Sequence, residues 1–176
     1  RFPNLKFSLS EGDIGWIPYL LPRADHVQRR HHGWTEHSFP NGMDKPSDAF
    51  RRHILCCFID DPVGVSIINE LNLDNVMWES DFPHSDSSWP DAPESLATML
   101  GGLDRNLIDR ITHRNAMQHF DFDPFAIRAA EQCTAGALRA EAVDVDTVTH
   151  VGRAPDETDR AFFHELSTRA LRGAKK

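Results

Sequence analysis

Apolar residues recur in the first half of the chain as short runs that predict strands, separated by stretches of helical period. Residues 5–10 alternate apolar and polar side chains and end at Glu11 and Gly12, which predicts a strand running into a loop. Two further runs, 54–59 and 76–78, are almost wholly apolar, as in buried strands. Strands that alternate with helices predict an α/β fold with a parallel sheet.

Helical stretches are predicted between and after these strands. Residues 14–30 have an apolar stripe, in which Pro18 fits a first turn and Pro22 predicts a kink or a break. Asp61 and Pro62 are the residue types of an N-cap and a first helical position, so a helix to about residue 71 is expected. Other predicted helices are a capping-box helix over 91–100 and the segments 104–119 and 124–132.

The chain is expected to divide into three parts. Residues 1–132 form the α/β domain, 133–155 are linker-like, and 156–176 are an amphipathic helix and tail. Inside the domain, the polar stretch 31–45 predicts a long loop, and this loop with its flank contains four histidines, His26, His31, His32 and His37. We interpret them as surface residues; an accidental metal site is the alternative.

The charge balance excludes some classes of partner. The 176 residues include 27 acidic and 19 basic side chains, a net charge of −8, with no basic block. Nucleic acid and anionic membranes are therefore not expected as partners. The apolar runs are too short for a membrane span, and three cysteines, two of them adjacent, predict a reduced cytoplasmic protein.

Acidic residues follow each predicted strand. Glu11 ends the first strand, Asp60 and Asp61 end the second, and Asp81 with His84 ends the third. Because functional groups of parallel sheets lie at the carboxyl ends of the strands, these side chains could converge on a divalent metal. Simpler roles remain open: Asp61 as a helix N-cap, Glu11 as a cap, and Asp81 and His84 as braces of their loop.

Aromatic and cysteine side chains add weaker hints. Cys56 and Cys57 lie in a buried strand without metal or redox spacing, so they are expected to act as small hydrophobes. Five aromatic residues are split between two roles: Trp34, Phe82 and Trp89 as the lining of a pocket for an apolar or aromatic substrate, and Trp16 and Trp78 as core.

Residues 76–91, VMWESDFPHSDSSWPD, resemble the closing signature of the amidohydrolase-related (amidohydrolase 2) TIM-barrel family, which includes aminocarboxymuconate-semialdehyde decarboxylase. Residues 1–12, RFPNLKFSLSEG, and 15–21, GWIPYLL, are similar to a strand and helix of the same family, and Asn115-Ala116 resembles its terminal helix. The resemblance covers about residues 1–125. It implies the C-terminal part of a (β/α)8 barrel, since 176 residues are too few for eight strands with their helices.

The resemblance also implies roles for individual residues. Asp81 would bind the metal and take a proton from the attacking water, and Glu11 would be a second metal ligand where many relatives have histidine. Asp60 stands where the decarboxylase branch has a catalytic histidine, which argues against decarboxylation because an aspartate is a poor proton donor at neutral pH. His84 or Asp60 would contact the substrate or water.

The expected function is therefore a metal-dependent hydrolase, in which a divalent ion, zinc by preference, activates water against a carbonyl-type small-molecule substrate. The alternatives are a non-oxidative decarboxylase of a carboxylated aromatic and an inactive barrel fragment that serves as an oligomerisation or binding module. A partial barrel is expected to have open sheet edges and an exposed apolar inner face. A homo-oligomer, or a missing N-terminal half of the barrel, would complete it, and this chain alone would hold zinc weakly or not at all.

Overall fold

The computed structural model describes residues 2–35, 39 and 43–143, together with the isolated positions 157, 160, 161 and 164. The chain divides into two compact units, Arg1–Val145 and Asp146–Lys176. The four described positions of the second unit are exposed and helical, and the predicted apolar face of that helix lies outside the described residues. Within the described parts of the chain, no helix combines the length and apolarity needed to cross a membrane.

Three parallel strands form the sheet of the first unit. They are β1 (Phe7–Leu9), β2 (Ile54–Phe58) and β3 (Val76–Trp78), ordered β1-β2-β3. Leu9 lies opposite Cys56, and Cys56 lies opposite Val76. The predicted α/β fold with a parallel sheet is confirmed.

The two faces of the sheet have different environments. Partners in register point to the same side, so Leu9, Cys56 and Val76 share one face, against which the two crossover segments pack. Leu55, Cys57 and Met77 lie on the opposite face. Strands in sequence order with both crossovers on one side are the arrangement of a (β/α)8 barrel, whereas doubly wound sheets have helices on both faces.

The helices continue this pattern along the chain. α1 (Ile17–Thr35) and α2 (Pro46–His53) connect β1 to β2, and α3 (Pro62–Ser66) leads towards β3. The later segments are α4 (Ala92–Leu100), α5 (Arg105–Asp109), a π-helical turn at Arg110–Arg114, α6 (Asn115–Phe120) and α7 (Ala135–Glu141). Short 3₁₀ turns lie at Ile68–Glu70, Leu73–Asn75, Pro124–Ala126 and Ala130–Cys133.

The long loop predicted over 31–45 is partly wrong, and so is the predicted break at Pro22. α1 runs without interruption through Pro22 to Thr35, so His31 and His32 are helical. A proline inside a helix costs about 3 kcal/mol. Ile17 and Leu21 on the same helix are buried in the core, and this packing compensates for the lost hydrogen bond.

Other helix ends also differ from the prediction. α4 is present, but the Asp91 side chain makes no capping hydrogen bond. Two 3₁₀ turns, Pro124–Ala126 and Ala130–Cys133, replace the helix predicted over 124–132; Asp123 caps the start of the first by accepting a hydrogen bond from the Phe125 N–H. α7 occupies the first part of the predicted linker, and Thr134 caps it by accepting from the Ala137 N–H.

A carboxylate immediately after β2 joins two neighbouring loops. Asp61 Oδ1 accepts from the Gly64 N–H (2.7 Å), which confirms the predicted N-cap of α3. Its Oδ2 accepts from the N–H groups of Ile14 (2.9 Å) and Gly15 (2.7 Å) in the loop between β1 and α1. Asp61 therefore caps a helix and fixes the first strand-end loop.

At the opposite end of the sheet, where the strands begin, amide side chains fix the structure. Asn75 Nδ2 donates to the carbonyls of Arg51 (2.6 Å) and Ile54 (2.9 Å), at the start of β2. Asn115 Nδ2 donates to the carbonyls of Leu73 and Val76, both at 2.7 Å, at the start of β3. Neutral amide side chains thus fix the amino ends of β2 and β3, whereas the acidic residues predicted for the site follow the carboxyl ends of the strands.

The predicted exposed inner face is wrong for two of the three strands. Leu55, Cys57 and Met77 are 3%, 6% and 2% exposed, and Ala116 of α6 packs against them. Their burial leaves little apolar area open on this side of β2 and β3. Oligomerisation remains a prediction.

Substitution of Asp61 by alanine should strongly destabilise the first unit. Three backbone N–H groups would lose a charged acceptor, and each such hydrogen bond contributes about 1.5–3 kcal/mol. Because the losses are not additive, we expect the free energy of unfolding to fall by about 3–5 kcal/mol in urea denaturation. Asp60→Ala, an exposed neighbour, is the control and should change it by less than about 0.5 kcal/mol. Equal effects of the two substitutions would contradict the stabilising role of the three hydrogen bonds that Asp61 accepts.

The cysteines should differ in reactivity. Burial raises the pKa of Cys56 to about 12 and also raises that of Cys57, so both thiols stay protonated at pH 8. Cys133 is half-buried. With a chromogenic disulfide reagent we expect one fast thiol in the native chain, absent in Cys133→Ser, and two that react only on unfolding. Two fast thiols in the native chain would show that a cysteine of β2 is accessible to the reagent.

Candidate functional site

The strand-end loops bring three of the predicted residues together. Glu11 follows β1, and Asp81 and His84 follow β3; one ligand atom from each lies within 4.8 Å of the others. β1 and β3 flank β2 in the sheet, so the cluster spans the carboxyl end of all three strands.

Asp81 is the enclosed member of the cluster. Its side chain is 8% exposed, and Oδ1 lies 2.8 Å from His84 Nδ1. The His84 main-chain N–H donates to the Asp81 carbonyl (2.7 Å), so a tight turn sets the spacing of the two side chains. Asp81 Oδ2 is buried and has no hydrogen-bond partner among the described residues.

Glu11 approaches the same histidine from the other loop. Its Oε1 lies 4.0 Å from His84 Nδ1, and the side chain is 54% exposed. Glu11 (φ 55°) and Asp81 (φ 51°) both have left-handed backbone, as does Asp13 between them in sequence (φ 51°). Residues other than glycine adopt this conformation at a cost, and such strain concentrates at functional loops.

Asp60 lies outside this cluster. It is exposed at the end of β2, beside a surface groove formed with α3 and α4, and is not one of the three clustered ligands among the described residues. Asp60 nevertheless contributes to the acidic character of this edge. The pKa of Asp13 is raised, chiefly by burial and then by the charge of Asp61, with smaller contributions from Asp86 and Asp60.

Two residues of this edge were missed by the sequence reasoning. Asp13 lies just beyond the first strand end, and Glu79 accepts a hydrogen bond from the Glu11 N–H. The position of Glu79 inside the 76–91 signature was the available signal. No pattern pairs residues 11 and 79, because their contact depends on the order of the strands.

The donor set suits a hard or borderline divalent cation. Two carboxylates and an imidazole are ordinary ligands of such ions. A buried carboxylate oxygen without a hydrogen-bond donor is costly unless a cation or a proton satisfies it. Asp81 Oδ2 is such an atom, so the residues present fit a metal.

The histidines of α1 do not form a comparable site. Among the described residues, the metal-type cluster contains neither His26, His31 nor His32. His31 lies against the exposed Trp34 ring, with 5.2 Å between ring centroids. His37 lies outside the described residues.

The aromatic side chains divide differently from the expectation. Phe82 and Trp89 are exposed on the loop after Asp81, with ring centroids 5.3 Å apart. Trp78 packs partly buried against the core, as expected. Trp16 is not core: it is 36% exposed, and its Nε1 donates to the Gly12 carbonyl (2.7 Å) at the end of the first loop.

The acidic cluster lies at the carboxyl ends of the strands, where barrel proteins carry their functional residues. The family model described as Amidohydrolase matches residues 1–122. The chain belongs to this amidohydrolase family, as the resemblance in its sequence predicted.

Three solved structures that align with part of the chain are named as decarboxylases. The crystal structure of 5-carboxyvanillate decarboxylase LigW from Sphingomonas paucimobilis aligns over 70% of this chain and 36% of its own, with 23% identity and a TM-score of 0.58. A dihydroxybenzoic acid decarboxylase from Polaromonas sp. JS666, solved with manganese and 2-nitroresorcinol, aligns over 60% of this chain and 31% of its own, with 17% identity and a TM-score of 0.45. A 2,6-dihydroxybenzoate decarboxylase bound to 2,6-dihydroxybenzoate aligns over 60% and 32%, with 17% identity and a TM-score of 0.44.

The chain spans about a third of the length of these solved structures. At 23% identity the 5-carboxyvanillate decarboxylase structure shows the fold alone, and its alignment over part of its own length agrees with a partial barrel. Among curated protein sequences, none matches the chain.

Replacement of Glu11 by glycine should not destabilise the protein. Glycine adopts left-handed backbone freely, whereas other residues pay about 1 kcal/mol there. We expect the free energy of unfolding to stay unchanged or rise by up to about 1 kcal/mol. Ser10→Gly, one residue earlier in ordinary backbone, is the matched control and should lower it by about 0.5–1 kcal/mol. A loss of stability in Glu11→Gly larger than in the control would show that the Glu11 side chain stabilises the fold.

Proposed function

We propose that Glu11, Asp81 and His84 belong to the active site of a metal-dependent hydrolase that acts on small molecules with a carbonyl or carboxyl group. The observation that carries this proposal is the buried, unpartnered Asp81 Oδ2 beside two further donor side chains. Carboxylates at helix caps or in ion pairs have partners, and this oxygen has none among the described residues. A divalent cation would satisfy it.

Asp81 and Glu11 would hold the ion, and zinc suits this mixture of ligands. When bound, such an ion lowers the pKa of water and polarises a carbonyl oxygen. Asp81 has a second task, because its Oδ1 accepts the hydrogen bond of His84 Nδ1. One carboxylate would thus bind the cation with one oxygen and orient an imidazole with the other.

His84 would handle the proton. With Nδ1–H donated to Asp81, the neutral ring presents an unprotonated Nε2 as an acceptor. The ring is 69% exposed, so Nε2 can reach water or substrate. His84 can accept a proton from attacking water and return it to a leaving group. Asp60, which is exposed and outside the cluster, would at most contact a substrate from the rim.

A non-oxidative decarboxylase is the second candidate, and the Asp81–His84 pair favours it. Decarboxylation of an aromatic acid needs a proton for the ring carbon, and an aspartate is in general a poor proton donor at neutral pH. In its doubly protonated form, His84 would be a donor beside Asp81 that does not depend on Asp60. The exposed pair Phe82 and Trp89 on the same loop could stack on an aromatic ring.

A complete barrel would need more strands than the three described here. We propose that a further barrel segment or a second copy of the chain pairs with the free edges of β1 and β3. Further ligands would come from those strands, so the three residues described here are part of the site.

Metal titration tests the assignment of the site. We expect the 176-residue chain to bind one Zn²⁺ weakly in calorimetry, because catalytic zinc sites usually have three protein ligands at fixed geometry. Asp81→Asn should weaken binding by about tenfold or more, since it removes the charged, enclosed ligand. Asp60→Asn is the matched control, and its affinity should stay within about twofold.

Two results would contradict the assignment. Tight zinc binding unchanged by Asp81→Asn would place the metal elsewhere in the chain, with the α1 histidines the first alternative. Equal effects of Asp81→Asn and Asp60→Asn would mean that charge alone attracts the ion.

The two candidate reactions can be distinguished by their products. A carboxyl-labelled hydroxybenzoate releases labelled CO₂ under decarboxylation, whereas an ester, lactone or amide releases an acid under hydrolysis.

A further inference from the structure

We propose that Glu79 is a positioning residue that fixes Glu11 beside His84 by accepting the hydrogen bond of the Glu11 main-chain N–H. This inference rests on the proposed metal role of Glu11 and adds a residue to it. Glu79 touches neither Asp81 Oδ2 nor the His84 ring in the contacts described, so it would act through Glu11.

Glu11 needs such a contact because little else holds it. Its side chain is 54% exposed, so packing does not set its position. Its backbone is left-handed (φ 55°), a conformation that a glutamate does not prefer. The main chain must therefore be held from outside, and a hydrogen bond to a carboxylate is one of the stronger ways to do so.

Glu79 is itself well anchored. Its N–H donates to the Phe58 carbonyl (3.0 Å), which extends the pairing of β2 and β3 by one step. The alternation of β3 places residue 79 on the same face as Met77, the inner face of the sheet.

The charge of Glu79 affects the thiol of Cys57 on that face. The pKa of Cys57 is raised mainly by burial, lowered by a hydrogen bond with Ser8, and raised further by the charge of Glu79. This agrees with a carboxylate that lies above the inner face, between the ends of β1 and β3.

The contact joins strands that are not neighbours. β2 lies between β1 and β3, so no ladder hydrogen bond sets the distance from Glu11 to Asp81 and His84. The Glu79 carboxylate links the two strands across β2, so the position of the loop after β1 is fixed relative to the loop after β3. In its absence the left-handed turn at Glu11 could relax, and the Glu11 carboxylate would move away from the cluster.

Three variants test this role: Glu79→Ala removes the acceptor, Glu79→Gln keeps an acceptor oxygen without the charge, and Asp86→Asn removes a charge at the same edge without touching Glu11. The first readout is hydrogen exchange of the Glu11 amide in the metal-free chain. We expect Glu79→Ala to speed this exchange by about tenfold or more, and the other two variants to stay within about threefold.

The second readout is the affinity for Zn²⁺, measured only for variants whose urea denaturation midpoints show that they are folded. Residues that orient a metal ligand typically contribute 10- to 100-fold in affinity. We expect about a tenfold loss in Glu79→Ala, substantial rescue in Glu79→Gln, and less than a twofold change in Asp86→Asn. A general loss of charge or of stability would not give this order.

Unchanged exchange of the Glu11 amide in Glu79→Ala would overturn the inference, and so would equal zinc affinities of Glu79→Ala and wild type. Losses of zinc affinity in Glu79→Gln and Asp86→Asn as large as the loss in Glu79→Ala would assign the effect to charge and overturn the inference as well. Absence of zinc binding by the wild type would instead count against the proposed function, because the exchange measurement needs no metal.

Discussion

The hydrogen bonding of the Asp61 carboxylate is the constraint on which the rest of the site depends. A charge that is 7% exposed is acceptable only because three main-chain N–H groups satisfy it. Those groups belong to the loop after β1 and to the first turn of α3. Gly64 makes the approach possible, since a Cβ there would lie 2.4 Å from both Asp61 Oδ2 and Ile14 Cγ1. Substitution of Gly64 by any other residue is therefore expected to destabilise the fold.

The two ends of the sheet divide stability from chemistry. At the amino ends, Asn75 and Asn115 satisfy carbonyls with uncharged amides, and nothing about them requires a ligand. At the carboxyl ends, Glu11 lies close to both Glu79 and Asp81, a repulsive arrangement of acidic residues that a bound cation would relieve. The division is typical of barrels, where catalysis and folding use opposite faces.

Much of this organisation was accessible from the sequence because it depends on local patterns. The strands were visible as apolar runs, the N-cap at Asp61 as a residue pair, and the family from the 76–91 signature. The continuity of α1 through Pro22 was not, since the packing of Ile17 and Leu21 outweighs a local cost. The Glu11–Glu79 contact and the extra bonds of Asp61 could not be predicted either, because both join residues more than 40 positions apart in sequence.

The left-handed backbone at Glu11, Asp13 and Asp81 has a consequence at the level of the gene. Every aspartate and glutamate codon becomes a glycine codon by one change at its second base. At most positions in a protein, selection for folding would remove such a change, but at these three the backbone favours glycine. Selection on stability therefore offers little resistance to the loss of the acids. Their persistence in a lineage would be a record of selection on chemistry, and a pseudo-enzyme descended from this chain would be expected to accumulate glycines at these positions first.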